Sequence, residues 1–126
     1  ANARELELEE RVRVVAGDLL DPAFRLPEPS ELVVSNPPYI LERERPTLMP
    51  HVVEREPERA IFVPDDDPLL FYRALLDHCP APRYAVEINP LVADPLRELF
   101  EQQGYLSRFG EGLLGERRYL FATMMK

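Results

Sequence analysis

The apolar run Leu32-Val33-Val34 ends abruptly at Asn36-Pro37-Pro38, and no other stretch constrains the fold as much. Continuous rather than alternating apolar residues mark a strand buried on both faces, as in a parallel sheet. Proline lacks an N–H and fixes its own φ, so the strand stops there. The flanking sequence fits this frame. Residues 68–78 carry Leu69, Leu70, Phe71, Ala74 and Leu75 in a helical stripe, and residues 83–88 read as another strand. Asp94-Pro95 predicts a cap followed by proline in the first turn, with Leu96, Leu99 and Phe100 facing inward and Gly104 closing the helix. Residues 105–109 and 119–123 are expected to pair as a hairpin. Upstream, residues 1–10 read as an uncapped helix, and Val12, Val14 and Val15 as a short strand ended by Gly17-Asp18. Alternating strands and helices predict one α/β domain with a mainly parallel sheet whose front is missing.

A chain of 126 residues with 45% hydrophobic content supports a single folded domain. Fourteen prolines against five glycines point to long, stiff connections between short elements. The longest of these, from Ile40 to about Pro64, is too long for an idle loop, which suggests a functional one. The net charge of −8 offers no basic face for nucleic acid. Arg11, Arg13 and Arg117-Arg118 are scattered, so they read as solvated or salt-bridged. A single cysteine, Cys79, precludes an internal disulfide and reads as a buried small hydrophobe. His51 and His78 lack companions at metal-ligand spacing, and Asp65-Asp66-Asp67 reads as a charged helix start, so no metal is expected. With no long apolar run and no signal peptide, the expected location is the cytoplasm.

Asn36 stands at the carboxyl end of its strand, where open α/β sheets bind ligands. Its side-chain oxygen can accept one N–H of a planar amide-type nitrogen, and the Pro37 carbonyl, stiffened by two prolines, can accept the other. Two such acceptors favour the pyramidal geometry the nitrogen needs in order to attack. Tyr39 can lie against the planar group and orient it. A sulfonium methyl donor would require little more than positioning, because its methyl group is already electrophilic.

Ser35-Asn36-Pro37-Pro38-Tyr39-Ile40 resembles the substrate motif of the HemK/PrmC family, which methylates a glutamine in peptide-chain release factors. Glu56-Pro57-Glu58-Arg59-Ala60-Ile61 resembles that family's Glu-Pro-x-x-Ala-Leu segment, and Leu69-Leu70-Phe71-Tyr72-Arg73 its next helix start. Val86-Glu87-Ile88 is similar to its Glu-Ile strand, and Leu114-Gly115-Glu116-Arg117-Arg118 to its closing Gly-x-x-Arg. Ala1-Asn2-Ala3 and Gly17-Asp18-Leu19 resemble the segments flanking the donor, so the likeness spans nearly the whole chain. Departures are Pro68 and Asn89 where glycine is usual, Gly112 where aspartate is frequent, and no glutamine soon after the Glu-Ile strand.

The resemblance implies the C-terminal part (residues 1–126) of a Rossmann-like class I methyltransferase domain, with a C-terminal antiparallel hairpin and its first strands missing. It implies that Asn36, Pro37, Pro38 and Tyr39 hold the glutamine amide and that Glu56 sits on a loop over the site. Asp18, Leu19 and Asn36 would lie beside S-adenosylmethionine, with a release factor as the protein partner. No strand leading through a glycine-rich turn into a helix is present, nor an acidic residue for the donor ribose, so the chain alone is expected to bind donor weakly and to be inactive. Unpaired sheet edges would favour self-association. Two alternatives stay open: a nucleic-acid base N-methyltransferase using the same motif, and a catalytically dead binding half-domain.

Overall fold

The computed structural model describes residues 2–8, 10–41, 43–44 and 62–125. Helix α1 covers Asn2–Glu5, and the strands are β1 (Val33–Ser35), β2 (Ile40–Leu41), β3 (Phe62–Val63), β4 (Arg83–Glu87), β5 (Tyr105–Glu111) and β6 (Arg117–Met124). Helices α2 (Leu70–His78) and α3 (Ala93–Gln102) flank β4 in sequence. Four strands form one sheet in the order β1-β4-β6-β5, while β2 and β3 pair separately in parallel.

The main sheet is mixed. Only β1 and β4 run parallel, with Val34 opposite Ala85, and β4·β6 and β6·β5 are antiparallel. The expectation of a mainly parallel sheet is corrected by the hairpin, whose β6 inserts beside β4. The predicted hairpin forms and extends further than its apolar residues indicated. The Gly-x-Gly spacing Gly110-Glu111-Gly112 lies where this hairpin closes, at a register irregularity, and is not a strand-to-helix turn.

Alternation along β4 decides where the core lies. Tyr84 and Val86, with Ile88 just beyond, pack with Leu120 and Ala122 of β6 against Tyr72 and Leu75 of α2 and Leu96 and Phe100 of α3. The other face carries Val34, Ala85 and Phe121, and Val34 is 73% exposed. Burial on both faces of β1 is therefore not found among the described residues. The apolar run told of two apolar faces, and α2 and α3 cover one.

Three local expectations are also corrected. The helix over 1–10 shrinks to Asn2–Glu5, since Leu6 is exposed and Glu7 has φ 57°. A helix this short gains too little by itself to offset its nucleation cost. Val12, Val14 and Val15 are exposed and form no strand, because a strand's hydrogen bonds come from a neighbour and none of the described strands pairs with them. Asp94 lies inside the first turn of α3. Asn89 is the residue that caps, accepting the N–H of Leu91 at 2.9 Å to start the 3-10 turn Pro90–Val92 that leads into α3. At the far end, Gly104 closes α3 as expected, with φ 91° in the region that favours glycine. Among the described residues, no helix is long and apolar enough to cross a membrane.

Candidate active site

Asn36 directly follows β1 and is exposed, whereas Pro37 is buried and Pro38 and Tyr39 are half-buried. The buried proline anchors the turn, and the exposed amide of Asn36 is left to face an open depression of about 450 Å³. Val34, Ala85, Tyr119 and Phe121 supply its apolar wall, and Ser35, Asn36 and Glu87 its polar rim. Register explains this grouping. Ser35 pairs with Val86, so the next residues, Asn36 and Glu87, stand together at the carboxyl ends of the two parallel strands.

Tyr39 is held at both of its ends. Its hydroxyl donates to Glu87 Oε1 at 2.7 Å, and its main-chain carbonyl accepts from Asn89 Nδ2 at 3.0 Å. Asn89 Nδ2 also donates to Glu44 Oε2 at 2.7 Å, and the Leu41 N–H donates to the same oxygen at 2.8 Å. Both amide protons of Asn89 and its oxygen are thus used, and the residue is 3% exposed. Tyr72, rooted in the core, donates to the Glu87 carbonyl at 2.7 Å. The Arg118 guanidinium lies 5.8 Å from the centre of the Tyr39 ring. Glu116, which pairs with Arg118, has its carboxyl held below the ordinary range by its own backbone N–H and that of Leu114, and by Arg118.

Burial, then the hydrogen bond to Glu87 and its negative charge, push the Tyr39 phenol up to about 12, against a smaller opposing pull from Arg118. Burial likewise raises the phenols of Tyr72 and Tyr84. Tyr39 is therefore a donor at neutral pH. A folded-state pKa above the ordinary value of 10.0 means that the folded chain binds this proton more tightly. The stability it contributes is complete below pH 10 and is lost as pH rises towards about 12. Thermal melts across that window should show a falling midpoint, and a shallower fall in Tyr39→Phe. Identical slopes in the two proteins would rule out the buried phenol as a source.

Asp18 and Leu19 are not brought to Asn36. The Asp18 carboxylate accepts the Leu20 N–H at 3.0 Å, closing its own turn. Leu19 packs against the core, and its carbonyl meets His78 Nδ1 at 2.7 Å, at the end of α2 that leads towards the start of β4. Asn36 stands at the opposite, carboxyl end of the sheet. Glu56 lies outside the described residues. Cys79 is buried, and its thiol is raised by that burial. Asp67 pairs with Arg73, and Asp65 accepts the Arg43 N–H at 3.1 Å, so two of the three aspartates have protein partners. Among the described residues, no cluster of three or more His, Cys, Asp or Glu could hold a metal ion.

Sequence reasoning assigned no role to Glu87, Asn89 or Glu44. One signal pointed to Glu87: a carboxylate that follows Tyr84-Ala85-Val86 at the carboxyl end of its strand, much as Asn36 follows β1.

No protein-family model matches the chain. It is similar to the release factor glutamine methyltransferase of Clostridium acetobutylicum, 38% identical over 84% of this chain and 39% of that protein. The Bacteroides thetaiotaomicron protein of the same name is 35% identical over 74% of this chain and 36% of the relative. The ribosomal protein uL3 glutamine methyltransferase of Francisella tularensis is 33% identical over 74% of this chain and 28% of its own length. The chain thus spans well under half the length of the curated relatives it matches.

Proposed function

This chain belongs to the HemK/PrmC family, and on that premise we propose that the protein containing it transfers a methyl group from S-adenosylmethionine to the side-chain amide nitrogen of a glutamine in a peptide-chain release factor. One observation carries the reading: Asn36-Pro37-Pro38-Tyr39 follows β1 directly, with Pro37 buried and Asn36 facing an open depression.

The chemistry follows from the nucleophile. An amide nitrogen is weakly nucleophilic because its lone pair is delocalised into the carbonyl. Asn36 Oδ1 accepts one N–H of the substrate amide and the Pro37 carbonyl accepts the other, drawing the lone pair out of conjugation as the bond forms. Pro38 stiffens the turn that aims the Pro37 carbonyl. The Tyr39 ring lies against the amide plane, and its half-buried position suits that contact. When bound, the donor supplies an electrophilic sulfonium methyl. Of the residues expected to hold it, Asn36 fits, being a free-standing amide at the carboxyl end of a parallel strand. Asp18, whose carboxylate also closes its own turn, and Leu19, which packs on the core, are the other residues expected beside the donor, at its adenine. No general base is needed before transfer, because the methylated nitrogen sheds its proton readily.

Protein made from the complete gene should label a release factor with methyl groups from isotopic S-adenosylmethionine. Peptide mass spectrometry should then place the label on a glutamine. Label found in RNA or DNA, with the release factor unmodified, would overturn the reading in favour of a nucleic-acid base substrate.

A further inference from the structure

Asn89 is the one buried polar residue of the described core, and every hydrogen bond it makes serves the segment around Tyr39 or the turn leading to α3. Its oxygen accepts the Leu91 N–H, which fixes the orientation of the amide, so Nδ2 must be the atom that donates to Tyr39 and Glu44. Glu44 in turn accepts the Leu41 N–H, so residues 39 to 41 hang from one side chain at two points. Glu87, two residues before Asn89, takes the Tyr39 hydroxyl. Its own main chain is fixed by the β4·β6 ladder and by Tyr72, which is fully buried. The phenol and backbone of Tyr39 are therefore both tied to the end of β4 and the turn that follows it, across 48 and 50 residues of chain.

We propose that Glu87 and Asn89 are positioning residues for methyl transfer: gripping Tyr39 at its hydroxyl and at its carbonyl, they set how the Asn36–Tyr39 turn meets the substrate amide. The proposal rests on the function given above. Its physical content is angular. A tyrosine ring packed against an amide plane orients it only if the ring cannot swing, and a half-buried ring on a loop swings unless its far end is held. Glu87 holds the far end of the ring, and Asn89 holds the peptide unit behind it. The second contact is a property of this chain in particular, because glycine, the usual residue of the resembling family at position 89, has no side chain with which to make it.

The test compares steady-state methylation of a release factor by full-length wild-type protein with that by Glu87→Leu, Glu87→Gln, Asn89→Gly, Tyr39→Phe and the Tyr39→Phe/Glu87→Leu pair. Misplacing reacting groups by about 1 Å costs on the order of 100-fold, so Glu87→Leu should lose about that factor in kcat with KM unchanged. Glu87→Gln keeps an acceptor for the phenol and should recover most of the rate, a rescue that a general loss of folding would not give. Asn89→Gly should lower kcat and, because it also removes the cap of the turn leading into α3, lower the melting temperature. The double variant should be no slower than Glu87→Leu alone, because both changes remove one contact. A kcat for Glu87→Leu equal to wild type, or losses that multiply in the double variant, would overturn the positioning role while leaving the function standing. Failure of the wild type itself to label a glutamine would instead remove the function, and the positioning role with it.

Discussion

On the function proposed above, Asn36→Ala in the full-length protein is expected to lower kcat for release-factor methylation by about 10²–10³-fold, the range seen when one preorganised hydrogen-bonding group is removed from a transition state. The size follows from what remains. With the Asn36 oxygen gone, the Pro37 carbonyl is the sole acceptor, and one acceptor cannot hold both N–H groups of the substrate amide in the geometry that frees its lone pair. The loss should fall on kcat more than on KM, because the planar ground-state amide gains less from the pair of acceptors than the pyramidal transition state does. Folding should be untouched. Asn36 is exposed, and its side chain makes no hydrogen bond to any described residue, so nothing in the fold is left unsatisfied. Asn36→Gln provides the complementary test. It retains the amide but moves its oxygen by one methylene, which should forfeit most of the same factor. Unchanged kcat in both variants, measured at saturating donor, would remove Asn36 from the chemistry.

The legible parts of this molecule are those whose cause is local. Two prolines end β1 wherever the strand lies, Gly104 ends α3 because its φ of 91° suits a residue without a Cβ, and apolar alternation on both sides of a glycine-containing turn makes the β5–β6 hairpin. Asn36 was legible for the same reason, since its position at a strand end is written in the four residues before it. What the sequence did not disclose depends on partners far away. Val12, Val14 and Val15 have the composition of a strand and no neighbour to pair with among the described strands. The mixed sheet arises because β6 settles beside β4, a pairing that no local pattern encodes. Asn89, read from sequence only as a departure from glycine, gains its role from Tyr39 and Glu44, 50 and 45 residues away. The expectation that Asp18 and Leu19 lie beside the donor's adenine rested on resemblance alone, without a local physical cause.

Phe100→Ala should produce the largest loss of stability of any single change considered, about 3–5 kcal/mol. Phe100 is fully buried on the inner face of α3, where it meets two tyrosines edge to face: Tyr84 at 5.5 Å and Tyr105 at 5.8 Å between ring centres. The tyrosines touch each other at 5.4 Å, so three rings close a mutual cluster between α3 and strands β4 and β5. Edge-to-face contacts add about 0.5–1.5 kcal/mol each beyond the area they bury. The cost should lie high in its range because the surroundings cannot collapse into the cavity. Tyr84 is tethered through its hydroxyl to the Cys79 carbonyl at 2.8 Å, and Tyr105 through its hydroxyl to the Ala81 carbonyl. Moving either ring inward would abandon a buried hydrogen bond, which is itself costly. Domains of this size are stable by about 5–15 kcal/mol, so the variant would retain a fraction of its margin. In urea denaturation the midpoint should fall by about 1 M or more at an unchanged slope. Phe100→Leu, which leaves a smaller void, should fall between the two. A loss for Phe100→Ala below about 1 kcal/mol, the ordinary size of a point-mutation effect, would show that the three rings are not the keystone of the helix–sheet interface. The consequence reaches the site, because α3 grows out of the turn capped by Asn89. Loosening the far end of that helix should therefore relax the grip on Tyr39, and methylation by the variant should decline at temperatures below its melting point.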